Sequence, residues 1–344
     1  MNRVSPPLRQ GRATSRRTIV ICGALLLALV LVMLVASVIG SEPLPVPGAL
    51  RAVLTGGRSD LGLTEEQSTI LFDIRLPRIL LAAAVGMSLA AAGSGYQALL
   101  RNPLAEPYLL GISNGAAVGT MTALVFFGAH EWSRPVMAFA GALTSTLLVY
   151  RLARGRTGTS PERLILAGVI VTTFLSSVIV FITTLMDATR IRAFTFWLLG
   201  DLSGTTTSLL VVAIVAAVIG ASILAMHARS LNLIMLGERD AFDLGVEVSR
   251  VRLTVFVAAS LMVGASVASS GSVGYVGLVV PHLVRLSFGS DNRLVIPAAA
   301  LAGALFVIVA DTVARTIIAP RELPVGAITA LIGAPLFVYL LKRG

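Results

Sequence analysis

The chain has 344 residues, of which 56% are hydrophobic and only 13% charged. A soluble domain carries about 25% charged residues, so composition excludes a water-soluble fold, and several runs reach the roughly 18–20 apolar residues that cross a bilayer. The net charge of +10 is scattered as short clusters between apolar runs. That pattern fits the cytoplasmic bias of basic residues in membrane proteins, and no nucleic-acid partner is expected.

Residues 1–18 read as a cytoplasmic tail and residues 19–344 as one transmembrane domain. The first apolar run, 19–39, follows the pair Arg16 and Arg17 in the manner of an export signal. Its apolar part, about 20 residues, is longer than a signal core, so it reads as the first membrane helix. It holds Cys22, the only cysteine, which excludes an intramolecular disulfide and a thiolate metal site. A polar stretch rich in Pro and Gly, 41–73, leads to the second helix, 76–100. Gly86, Ala90, Gly93 and Gly95 lie in it near four-residue spacing, which lets neighbouring helices approach closely.

The next stretch is polar: "RNPLAEP", residues 101–107. Pro103 and Pro107 disfavour helix at the residues before them. Asn102 and Ser113 offer side-chain caps for backbone groups that a bilayer leaves unsatisfied. Eight more apolar helices follow, at 109–129, 135–152, 164–186, 209–228, 253–269, 273–288, 294–313 and 325–341. With the N-terminus inside and ten alternating helices, 18 of the 27 basic residues fall on the cytoplasmic side and 9 outside. Both termini are then cytoplasmic, and the fold class is an all-α polytopic membrane protein.

Between the sixth and seventh helices, 228–252 mixes Glu238, Arg239, Asp240, Asp243, Glu247 and Arg250 with Leu236, Phe242, Leu244 and Val246. Gly245 breaks the pattern. It reads as two short amphipathic helices whose apolar residues need a partner on the cytoplasmic face. Arg75 and Arg78 precede the second helix, and Arg315 ends the ninth. They are either snorkelling interfacial charges or a basic docking surface for an acidic partner, where charges speed encounter and fix register.

No G-x-x-x-x-G-K-[ST] phosphate loop occurs, so the chain is not expected to hydrolyse ATP. No catalytic grouping, cofactor site or metal site is predicted; His130, His227 and His282 are far apart. Ion-coupled carriers place ionisable residues at mid-membrane. Here Asp311, His282 and Arg285 lie toward the ends of their runs, which argues against that class. The lack of clustered His, Asp and Glu argues against a membrane-embedded enzyme.

Three blocks occur in order over about residues 75–341: "RLPRILLAAAVGMSLAAAGSGYQALLRNPLAEPYLLGISNGAAVG", then "GSVGYVGLVVPHLVRLSFGSDNR", then "ADTVAR" followed by "ELPVGAITALIGAPLFVYLL". They resemble the signatures of permease subunits of ABC importers for iron–siderophore, haem and cobalamin. The resemblance implies a ten-helix permease of a prokaryotic cytoplasmic membrane. It pairs with a second permease copy, identical or related, around the translocation path. Two ATPase subunits bind below, and an extracytoplasmic substrate-binding protein docks outside. By the same resemblance Arg75, Arg78 and Arg315 meet acids of the binding protein. Asn102 and Leu104 match the cytoplasmic gate. Ser160 and Pro161 lie in the loop expected to contribute to it, although Pro161 and Glu162 depart from the family pattern. Glu238, Asp240, Leu244 and Gly245 fall in a segment that resembles the ATPase coupling helices. The implied cargo is an iron–siderophore complex, with cobalamin or haem as the alternative. An ion-coupled secondary transporter is the alternative of another class.

Overall fold

The computed structural model describes residues 15–56, 62–127, 132–155 and 158–343. Most of the predicted tail, residues 1–14, lies outside that range, as does His130. Every one of the ten predicted helices coincides with a helix of the structure. They are α1 (Ser15–Val38), α4 (Leu76–Leu99), α5 (Ile112–Phe126), α6 (Ser133–Ala153) and α7 (Pro161–Thr183), then α9 (Thr207–Met226), α12 (Val248–Ser270), α13 (Val276–Phe288), α14 (Asn292–Thr316) and α15 (Val325–Arg343). Among the described residues 7 helical runs are long and apolar enough to cross a membrane; α5, α13 and Val325–Leu340 of α15 are shorter apolar helices.

Among the described residues five further α-helices fill the connections, with a 3-10 turn at Pro107–Leu110. The stretch 41–73 is not a plain polar loop: it holds α2 (Val46–Thr55) and α3 (Glu65–Thr69). In α2 the small residues Gly48, Ala49 and Ala52 are buried. A capping box starts α3: Gln67 N–H donates to the Thr64 hydroxyl at 3.2 Å, and Thr64 N–H donates to the Gln67 side chain at 3.1 Å. A π-helical turn, Ile70–Arg75, joins α3 to α4. The wide turn shows in Leu76 N–H, which donates five residues back to Leu71 O, and Pro77 then sits in the first turn of α4, where its missing N–H is tolerated. α8 (Ala188–Leu198), α10 (Ala228–Leu236) and α11 (Glu238–Asp243) complete the set. Two short helices, α10 and α11, do lie in 228–252, but they part at Gly237 and not at the predicted Gly245, which separates α11 from α12; α8 lies in a connection the hydropathy pattern passes over. A short antiparallel ladder pairs β1 (Arg154–Gly155) with β2 (Gly158–Thr159).

Burial sorts the bundle into an inner and an outer set. Buried positions make up 72% of the most apolar stretch of the α3–α4 run and of α12, and 67% of that of α14, against 11% in α1 and 17% in α7. Apolarity on all sides thus marks a central helix in one case and a lipid-facing one in another. Small residues permit the inner set. A Cβ at Gly86 would fall on the carbonyl oxygen of Gly303 in α14, and one at Gly93 on that of Gly277 in α13. Glycine at these positions lets two backbones touch.

The predicted eighth helix begins three residues late, at Val276, because 271–275 is irregular. Gly271 and Tyr275 both have φ of +67°, a region a helix cannot use. Protein groups satisfy the ends of this segment: Asp201 N–H donates to Ser270 O at 2.8 Å, and Tyr108 hydroxyl donates to Val273 O at 3.1 Å. Irregular backbone within a membrane bundle persists only where protein satisfies it in this way.

Candidate functional site

The predicted residues gather at the two opposite ends of the bundle. At the first end the C-termini of α1 and α14 meet the N-terminus of α4. Arg75, Arg78 and Arg315 are only 4%, 6% and 4% exposed there. The Arg75 guanidinium donates to the carbonyls of Ser37 at 3.3 Å and Val38 at 3.0 Å, and to that of Glu42. It therefore caps orphan carbonyls at the end of α1. Arg78 Nε donates to Asp311 Oδ1 at 3.0 Å, and its Nη1 donates to Glu322 Oε2 at 2.7 Å. Arg315 Nε stands 3.1 Å from Asp311 Oδ2, an ion contact outside hydrogen-bond alignment. One buried carboxylate thus lies between two guanidiniums. A cavity of about 190 Å³ opens beside Arg78 and Glu322 and is bordered by Asp201 and Pro324.

At the opposite end the polar turn 101–107 follows α4. Arg101 adopts φ of +49°, and the turn closes with Asn102 N–H to Gln97 O at 3.1 Å and Leu104 N–H to Asn102 Oδ1 at 2.9 Å. Asn102 is thus the cap that the sequence suggests; Ser113 instead donates to the Ser272 hydroxyl at 3.1 Å. Leu104 is exposed. The far side of the turn is tied to the irregular segment before α13. Glu106 Oε1 accepts from Tyr275 N–H at 3.2 Å, and the Tyr108 hydroxyl also accepts from Val273 N–H at 3.0 Å. Burial pushes the Glu106 carboxyl above the usual carboxylate range, and the Tyr275 N–H pulls it the other way.

Ser160 and Pro161 open α7. Ser160 is its N-cap, with Oγ accepting from Arg163 N–H at 3.4 Å, and Pro161 occupies the first turn. The departure at Pro161 is therefore a sound helix start. In the predicted coupling segment, Ala241 of α11 is buried, while Phe242 and Leu244 are 71% and 66% exposed. Gly245, with φ of +84°, turns the chain toward α12, and its N–H donates to Phe242 O at 2.8 Å. Asp240 lies on the exposed side of α11.

Three segments that are remote in sequence converge here. Glu238 Oε1 pairs with Arg252 Nη2 and stands 3.6 Å from Arg101 Nη2. Arg252 also donates to the carbonyl of Thr159, next to Ser160. Arg252 and Glu106 at this end, and Asp311 and Glu322 at the other, carry the geometry of the two sites, and sequence reasoning assigns none of them a role. Asp311 gave the clearest signal, as an ionisable residue inside an apolar run. Among the described residues no three His, Cys, Asp or Glu side chains gather as a metal site.

The fold and composition define a polytopic membrane permease. Residues 25–343 match the FecCD transport family, and the chain belongs to that family. It is an ABC importer permease and a multi-pass protein of the cytoplasmic membrane. It is 37% identical to the cobalamin import system permease of Halobacterium salinarum, over 96% of this chain and 98% of that one. It is 41% identical to the hemin transport system permease of Yersinia pestis, over 80% of this chain and 83% of that one. A solved inward-facing metal-chelate type ABC transporter superimposes with a TM-score of 0.84 at 31% identity, covering 94% of this chain and 99% of that one. Permeases of this family work with an ATPase and a binding protein.

Proposed function

We propose that the chain is the membrane-spanning subunit of an importer for a metal chelate, an iron–siderophore complex in the first reading. Cobalamin or haem is the second reading, favoured by the cobalamin and hemin permeases among its relatives. The protein forms no bonds itself; ATP hydrolysis belongs to partner subunits. Two permease copies, identical or related, enclose the path. Arg75, Arg78 and Arg315 underlie the extracytoplasmic docking surface for the binding protein. Because Arg78 is neutralised by Asp311 and Glu322 in the free chain, an acid of the binding protein competes with Glu322 for it. Asn102 and Leu104, with Ser160 and Pro161 opposite, form the cytoplasmic gate. The α11 segment, with Glu238, Asp240, Leu244 and Gly245, seats in the ATPase.

The observation that carries this reading is the exposed apolar pair Phe242 and Leu244, at the end and at the C-cap of a short helix whose Glu238 reaches the gate turn. A solvated loop has no use for such a pair, and a partner surface buries it. The test is ATPase activity of the permease–ATPase complex in lipid, with binding protein loaded in turn with ferric siderophores, haem and cobalamin. Stimulation by one loaded form names the cargo. Failure of this chain to form a complex with any ATPase refutes the reading.

A further inference from the structure

We propose that Glu238 and Arg252 are positioning residues that join the coupling segment to both gate turns, with the Arg101 contact as the link that releases. This rests on the function proposed above and assigns the residues through which α11 acts on the gate. Glu238 is the first residue of α11, and its one carboxylate oxygen serves two guanidiniums. On one side is Arg252, whose side chain is 5% exposed and sits on the central helix α12. A charge this deeply buried needs a partner. Its planar fork holds the Glu238 carboxylate through Nη2 and the Thr159 carbonyl through Nη1 at once. A rigid fork fixes those two groups relative to each other. The turn that begins at Thr159 and caps α7 is therefore tied to the start of α11.

On the other side the link is loose. Arg101 Nη2 is 3.6 Å from Glu238, and both side chains are 37% exposed. An exposed charge contact of this kind is weak. Arg101 also holds the left-handed φ of +49°, which bulky residues rarely adopt. The adjoining Asn102 and Leu104 close through their own hydrogen bonds, so the turn is a self-contained unit. A displacement of α11 carries the tightly held Thr159 turn with it and breaks the Arg101 contact first. The gate then has one arm that follows the ATPase and one that is let go. Two further observations suit this arrangement. Arg252 Nε has no partner among the described residues, so the fork has a spare donor when the carboxylate shifts. The far side of the Arg101 turn is fixed to Tyr275 and Val273, so motion is confined to the Arg101 side.

The experiment uses the full chain assembled with its ATPase in lipid vesicles. A cysteine replaces Leu104 in a Cys22→Ala background, and a membrane-impermeant maleimide reports its accessibility with and without ATP and vanadate. Glu238→Gln and Arg101→Gln are each expected to reduce the nucleotide-dependent change in labelling about fivefold or more, the lower range of coupling between sites. Arg101→Lys retains it, because a contact at 3.6 Å needs charge and not a fork. Arg252→Lys reduces it, because a single ammonium does not hold Glu238 and Thr159 together. Labelling is expressed per folded complex, so a merely structural loss leaves the change intact. A full nucleotide response in both Glu238→Gln and Arg101→Gln overturns the inference alone. No nucleotide response in the wild-type complex overturns the importer reading and the inference with it.

Discussion

Replacing Asp311 by asparagine removes the negative charge from a site where two guanidiniums converge. Asp311 is 1% exposed, with Arg78 at 2.9 Å and Arg315 at 3.1 Å. At an effective dielectric constant near 20, each contact is worth about 5 kcal/mol of Coulomb energy before desolvation is charged against it. The net loss is smaller and falls unequally. Arg78 keeps Glu322 at 2.7 Å, whereas among the described residues Arg315 keeps the Thr312 hydroxyl at 3.4 Å and the more distant charge of Glu322. Breaking a buried pair costs about 3–5 kcal/mol, and the retained Glu322 places Asp311→Asn near the lower figure. Thermal unfolding in detergent should show a midpoint lower by about 5 °C or more at roughly 2 °C per kcal/mol for a chain of this size. Glu322→Gln provides the comparison: its side chain is 40% exposed, and a partly exposed pair contributes about 1 kcal/mol or less. An Asp311→Asn midpoint within about 1 °C of wild type would refute the claim that this carboxylate holds the arginines in place.

Gly93→Ala drives a Cβ onto the Gly277 carbonyl and should cost about 1–3 kcal/mol, whereas Gly23→Ala, with open space around it, should cost nothing in the same melting assay. Asp291 caps α14; although burial pushes its pKa up, hydrogen bonds from Arg293 and Asn232 hold it down to about 2. Its stabilisation is therefore complete above the ordinary carboxylate range and lost as pH falls toward about 2, so Asp291→Asn should flatten the acid limb of a stability–pH curve. Glu106 has the opposite sign: burial raises its pKa, so stability is lost as pH rises through the raised value. Glu106→Gln keeps an acceptor for Tyr275 and should raise the melting midpoint at neutral pH. Phe242→Ala and Leu244→Ala should leave the melting of the isolated chain unchanged, since both side chains are exposed, yet weaken co-purification with the ATPase.

The spanning helices were legible because a bilayer demands about 20 apolar residues in a row, a signal that survives without any knowledge of packing. The helices α2, α3 and α8 were not: α2 is apolar but only 10 residues long, and α3 and α8 are short and partly polar, so hydropathy does not mark them as spans. Gly86 and Gly93 announced close approach, but nothing in a single chain says that their partners are Gly303 and Gly277. The three arginines were legible as positions and not as buried ones. The environment of Arg78 and Arg315 depends on Asp311, which is 233 residues from Arg78 in the sequence, and that of Arg75 on the carbonyls at the end of α1. Arg252 stands at the head of an apolar run and reads as an ordinary interfacial charge. Only the fold shows that it lies between Glu238 and Thr159.

The most direct test is uptake into vesicles that hold this permease with its ATPase, supplied outside with binding protein loaded with ferric siderophore, haem or cobalamin. Uptake of one cargo that needs ATP, the ATPase and the binding protein together is the expected result. Uptake that continues without the ATPase and collapses with the proton gradient would contradict it and make the protein an ion-coupled carrier.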